Sequence, residues 1–166
     1  NDGPKPKIDV AGTSEDHSVT TSVGANDTDP DASDVLTVSA ASINSGLGSV
    51  SFAGGDVTYN PGAAYNYLAV GESATVVIDY TVSDGNGGTS SSQLTVTVNG
   101  TNDGPNIQVV TTDSAAASLT EANGGLAATG TLTVTDPDTN DVVSSIVTGV
   151  TLGGVTGGLT AASVLG

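Results

Sequence analysis

The tetrapeptide Asn1-Asp2-Gly3-Pro4 returns 101 residues later as Asn102-Asp103-Gly104-Pro105. A period of about a hundred residues is the length of one small domain, so the motif reads as a linker between tandem modules. With 166 residues the chain holds one complete module and part of a second. The boundaries that follow are a linker over 1–7, a complete module over 8–99, an interdomain linker over 100–105 and a partial module over 106–166. Each tetrapeptide is followed by a β-rich stretch and then by acidic residues. These are Asp27-Thr28-Asp29-Pro30-Asp31 with Asp34 in the first module, and Asp136-Pro137-Asp138 with Asp141 in the second. The offset widens to 107 at the acidic clusters, which places a small insertion around Glu121–Ala128.

Strict alternation of apolar and polar residues predicts strands. Leu94, Val96 and Val98 share one face of Gln93–Val98, and Val76, Ile78, Tyr80 and Val82 share one face of Ala74–Asp84. Asp84-Gly85-Asn86-Gly87-Gly88 joins these runs as a hairpin turn, and Ala53-Gly54-Gly55-Asp56 joins Val50–Phe52 to Val57–Tyr59. Further strands are expected at Ile8–Val10, Val19–Val23 and Val35–Ala40, making about seven in the first module. Tyr65–Glu72 breaks the alternation and reads as a packed crossing between sheets, its tyrosines adding bulk to the core. In the second module, Ile107–Thr111 and Gly130–Thr135 resemble the early strands of the first. No counterpart of the Ala74–Val98 hairpin follows, so this module is incomplete by sequence and the chain reads as a segment of a longer protein. Seven short strands with Gly-rich turns and no helical periodicity fit an all-β fold of tandem immunoglobulin-like (cadherin-like) β-sandwich modules.

Composition narrows the partners. Eighteen acidic residues face Lys5 and Lys7, with no Arg, for a formal charge of −16. Nucleic acid is excluded as a partner because phosphate binding needs Lys and Arg. Direct contact with an anionic membrane surface is excluded for the same reason. Hydrophobic residues make up 36% of the chain and recur periodically, which argues against a disordered polyanion. Without cysteine there are neither disulfides nor thiolate metal sites, and a secreted domain so built relies on oxygen-ligated ions.

Three groups are candidates for calcium (Ca2+). The first is Asp29, Asp31 and Asp34 with its partner set Asp136, Asp138 and Asp141. Hard divalent cations take six to eight oxygens, and closely spaced carboxylates on a Pro-stiffened loop supply several together. These loops are not EF-hands, lacking the Gly at position six and the bidentate Glu at position twelve. The second group is Glu15, beside Asp16, with Glu121 as its approximate counterpart. The third is the linker itself, where Asn102 and Asp103 could complete a shell begun by either neighbouring module. Asp84 and Asn86 are weaker candidates, because their segment is a good hairpin turn without an ion.

These residues resemble the bacterial cadherin-like adhesin repeats, in particular the VCBS repeat family. Three segments carry the resemblance: Gly100–Pro105 at the border, Gly130–Asp138, and Tyr80–Gly88. The resemblance implies tandem extracellular domains that extend giant surface or secreted proteins, with calcium at their joints. It makes Asp103, Asp136 and Asp138 the foremost interdomain ligands. The function expected is a calcium-stiffened structural extender at the bacterial cell surface, its partners the neighbouring modules of the same chain. Two alternatives remain. One is a subunit of an extracellular filament that other copies complete by strand addition. The other is a ligand-binding adhesin tip, disfavoured by the absence of Trp and the scarcity of Tyr. An enzyme is not expected: His17 is the sole His, and nothing marks a nucleophile elbow or oxyanion loop.

Overall fold

The computed structural model describes residues 1–114 and 129–146. The first module is built from β1 (Asp9–Ser14), β2 (Val19–Thr21), β3 (Thr37–Ser45), β4 (Ser49–Ala53), β5 (Asp56–Asn60), β6 (Ser73–Ser83) and β7 (Thr89–Asn99). They form a four-stranded sheet in the order β1-β7-β6-β3 and a three-stranded sheet in the order β2-β5-β4. The two sheets enclose one core as a β-sandwich. The only helical feature among the described residues is a single 3-10 turn at Val23–Ala25.

The alternation read from β6 and β7 is the backbone of that core. Val76, Ile78, Tyr80 and Val82 from β6 and Leu94, Val96 and Val98 from β7 are all buried. Their ladder runs unbroken from Ser73↔Asn99 to Ser83↔Thr89, setting Val76 against Val96 and Ile78 against Leu94. Cross-strand apolar pairs of this kind fix register, because a one-residue slip would turn every such side chain to water. The facing sheet contributes Val57 and Tyr59 from β5, and Val38 of β3 and Val23 of the 3-10 turn join the same buried cluster.

Some strands begin elsewhere than alternation suggested. Ile8 and Val10 mark the first strand in the sequence, yet both are exposed, and β1 runs on to Ser14. Its parallel pairing with β7 turns Ala11, not Val10, against the core. β3 starts at Thr37, leaving Val35 in water, and extends to Ser45 through two register shifts. The β2 ladder stops at Thr21, and Val23 is buried from the 3-10 turn instead.

The crossing from β5 to β6 has no strand over 61–72. Tyr65, Leu68 and Ala69 are buried there, whereas Tyr67 is half in water and adds little to the core. Tyr65 and Tyr59 together pin the β3–β4 turn: Leu47 N donates to the Tyr65 hydroxyl (2.8 Å), and the Tyr59 hydroxyl donates to Leu47 O (2.7 Å). Gly48 follows at φ 105°, where a Cβ would meet Asn60 O at 2.6 Å, so no other residue fits.

Beyond the linker, β8 (Asn106–Gln108) pairs antiparallel with β9 (Thr133–Thr135), both shorter than the expected Ile107–Thr111 and Gly130–Thr135. Asp113 holds the pair together. Its Oδ2 accepts Val110 N (3.0 Å) and Thr133 N (2.8 Å), and its Oδ1 accepts the Thr133 hydroxyl (2.9 Å). These bonds hold the Asp113 carboxyl below the usual carboxylate range. The insertion expected at 121–128 and the chain after Ile146 lie outside the described residues.

Candidate metal centres at the module joints

The same backbone scaffold recurs with each border tetrapeptide. Asp2 N donates to Asp31 Oδ2 (2.7 Å), and Asp103 N donates to Asp138 Oδ2 (2.9 Å). Asp31 N donates to Asp29 Oδ1 (2.8 Å), and Asp138 N to Asp136 Oδ1 (3.1 Å). Asp34 N and Asp141 N then close onto the carbonyls of Asp31 and Asp138, at 2.9 and 3.1 Å. Asp-Pro-Asp is therefore a compact turn in which each carboxylate spends one oxygen on the backbone, and the other oxygen of Asp29 and of Asp138 is buried. Proline between the aspartates removes a donor and a degree of freedom.

At the joint, the first module adds Glu15. It sits in the turn between β1 and β2, fully buried, with its N–H bonded to Asn99 O (2.9 Å). Glu15 Oε1 accepts Thr101 N at 2.8 Å, while the Thr101 hydroxyl lies 3.1 Å from that oxygen and 2.7 Å from Asp16 Oδ2. Carboxylate oxygens of Glu15, Asp103 and Asp138 all lie within 4.8 Å of one another, and those of Asp136, Asp138 and Asp141 form an adjoining group through Asp138. Glu15 Oε2, Asp103 Oδ2 and Asp138 Oδ1 are buried and have no hydrogen-bond partner among the described residues. Buried anionic oxygens left unpaired are costly, so three together define a place built for positive charge. Burial, and then the negative charges of Asp138, Asp16 and Asp136, push the Asp103 carboxyl above its ordinary range.

The head of the first module has a related group. Oxygens of Asp29, Asp34 and Asp84 lie within 4.8 Å of one another. Asp27 Oδ2, Asp29 Oδ2 and Asp34 Oδ2 are buried and unpaired among the described residues. An open hollow of about 370 Å³ is lined by Asp27, Asp29, Asp31 and Asp34. Burial and the nearby Asp9 raise the Asp27 carboxyl against the lowering effect of the Lys7 N–H. Asp84 is itself buried, but it accepts Asn1 Nδ2 (2.9 Å), Asn86 N (2.7 Å) and Gly88 N (3.0 Å), which hold its carboxyl low.

The structure thus brings Glu15 to Asp103 and Asp138, at the far end of β1 from the Asp29–Asp34 loop that follows it in sequence. Asn102 stays exposed and donates its amide to Asp103 O (2.9 Å), so its side chain does not enter the carboxylate group. Glu121 lies outside the described residues. Asp84 joins Asp29 and Asp34, and its turn-like surroundings concealed that in the sequence. Thr101, which holds Glu15, carried no signal beyond its place in the linker. His17 is exposed and its Nδ1 lies 2.8 Å from Ser14 Oγ within one tight turn, with Thr13 Oγ1 donating to the His17 carbonyl. That arrangement stabilises a turn.

Donors made only of oxygen, several anionic and convergent, suit calcium-like cations and offer nothing to softer metals. No helix among the described residues is long and apolar enough to cross a membrane. Among curated proteins none matches the chain. A family model, the bacterial cadherin-like domain, matches residues 1–100, from the first border tetrapeptide to the end of β7. Sandwich, border and match agree, and the chain belongs to the bacterial cadherin-like domain family.

Proposed function

We propose that the chain is a calcium-stiffened extender segment of a large bacterial surface or secreted adhesin. Its family is one of extracellular adhesion and structural repeats, non-enzymatic in kind, whose members generally bind calcium. The observation that carries the reading is the joint. Glu15 of the first module and Asp103 and Asp138 at the head of the second converge their carboxylates, each with a buried oxygen lacking a partner. Asp136 and Asp141 stand beside them. A bound divalent cation would supply the positive charge that these oxygens lack. The protein's part is to hold the oxygens ready: Thr101 orients Glu15, and the Asp103 N–H orients Asp138. Because the ligands come from two modules, occupancy would tie one module to the next. The Asp29–Asp34–Asp84 group at the other end of the first module is proposed as a second cation site of the same kind.

Thermal unfolding in calcium and in chelator tests the proposal. A cation held by the folded state alone stabilises it by mass action, about 2.7 kcal/mol per site at a hundred times the dissociation constant. The midpoint is expected to rise in calcium, and the rise is expected to shrink in Glu15→Gln combined with Asp138→Asn. An unchanged midpoint for the unsubstituted chain would sink the reading.

A further inference from the structure

The two acidic loops share their internal hydrogen bonds but differ at two positions. Asp29-Pro30-Asp31-Ala32-Ser33-Asp34 stands in the first module, Asp136-Pro137-Asp138-Thr139-Asn140-Asp141 in the second. Both differing residues of the second loop touch the first module. Thr139 donates its N–H (3.4 Å) and its hydroxyl (3.3 Å) to Tyr67 O. Asn140 Nδ2 donates to Glu72 Oε1. None of these atoms belongs to the converging carboxylates at the joint.

The receiving surface is braced from behind. Glu72 Oε2 accepts Ala69 N (3.0 Å), Glu72 O accepts Gly100 N (2.9 Å), and Leu68 N donates to Tyr65 O (2.9 Å). The linker lies so close that a Cβ on Gly100 would come within 2.3 Å of both Leu68 O and Ala69 O. The crossing that joins the two sheets of module one therefore offers a fixed pair of acceptors, a carbonyl and a carboxylate, and its partner must bring donors. Thr139 and Asn140 bring them. In the first module's loop, Ala32 has no side-chain donor, and the Ser33 side chain is shorter than that of Asn.

We propose that Thr139 and Asn140 form an ion-independent latch onto Tyr67 and Glu72, which sets how the second module is turned about the joint and selects which acidic loop can follow module one. The cation would fix the carboxylate centre; the latch acts beside it and removes the freedom to roll. Sequence choice at two loop positions then makes joints of unequal stiffness from the same Asp-Pro-Asp framework.

Spin-label distances across the joint test this in the whole chain, which has no native cysteine. Labels go on Ser51→Cys and Gln108→Cys, both exposed. The substitution under test is Thr139→Ala with Asn140→Ser, which transplants the first module's residues. In chelator, the unsubstituted chain is expected to keep a preferred distance that the double variant loses, while Thr139→Ser alone retains part of it. In calcium, the variant is expected to recover a narrow distribution, since its carboxylates are untouched. A chelated parent as broad as the variant would overturn the latch, and so would a variant as narrow as its parent. Failure of calcium to narrow the variant would count against the joint cation and leave the chelated comparison standing.

Discussion

Asp103 shows how one side chain couples the joint to pH. Burial first, then the charges of Asp138, Asp16 and Asp136, raise its carboxyl above the ordinary value of 3.8. In the metal-free protein its contribution to stability is present below the ordinary value and is lost as pH rises through the raised one. A cation needs the charged form, so calcium affinity is expected to fall as pH drops through that raised value, earlier than for an unperturbed aspartate. Calorimetric titration at a series of pH values from the ordinary carboxylate value upward checks this, and Asp103→Asn is expected to weaken binding and flatten its pH dependence. Thr101→Val leaves every carboxylate in place but removes the hydroxyl beside Glu15 and Asp16. Loss of an orienting partner costs about 10–100-fold in affinity, and the lower end is expected because the Thr101 N–H remains. At this scale, Asp136, Asp138 and Asp141 were legible because they are neighbours in the chain. The partnership of Glu15 with Asp103 was not, since it exists only after β1 and β7 have paired and carried both to one end.

Strands β6 and β7 were read from alternation because each buries one face and wets the other, the condition under which period two is visible. β1 was read only at its start, for the opposite reason: Ile8 and Val10 face water while Ala11 packs inward, so hydrophobicity marked the beginning of the strand and missed its run to Ser14. The Tyr65–Glu72 crossing has no period at all, and only its contacts reveal it as the floor of the joint. Leu94→Ala, which empties the centre of the β6–β7 ladder, is expected to cost about 2–5 kcal/mol, measured by urea unfolding in calcium. Gly100→Ala acts differently. Its new methyl meets two carbonyls with nowhere to go, and overpacking of this kind costs about 1–3 kcal/mol. Calcium is expected to offset little of that loss, because the displaced atoms belong to the backbone beneath the latch. An Ala variant as stable as its parent would show that the linker can lift away from the crossing.

For the whole molecule, a formal charge of −16 with only Lys5 and Lys7 as cations means that compaction works against self-repulsion. In the proposed extender, modules set end to end would keep that charge spread out, and cations at the joints would offset it where the carboxylates converge. The pairing of β1 with β7 adds a property of another kind. The two strands run parallel and adjacent from Asp9↔Leu94 to Ser14↔Asn99, so the chain enters the module at one end of this ladder and leaves it at the other. Tension on the two ends therefore draws β1 and β7 in opposite directions along their own length. Their hydrogen bonds are loaded together, in shear, and must fail nearly at once; in a ladder pulled apart from one end they would fail singly. Forced unfolding is governed by the barrier to that rupture and not by equilibrium stability. Single-molecule stretching is expected to show module one resisting as one abrupt event, and Gly12→Pro, which strikes the middle of β1, to lower that force far more than Leu94→Ala does. A polymer of such modules would bear a towing load through the strands at which its chain enters and leaves each sandwich.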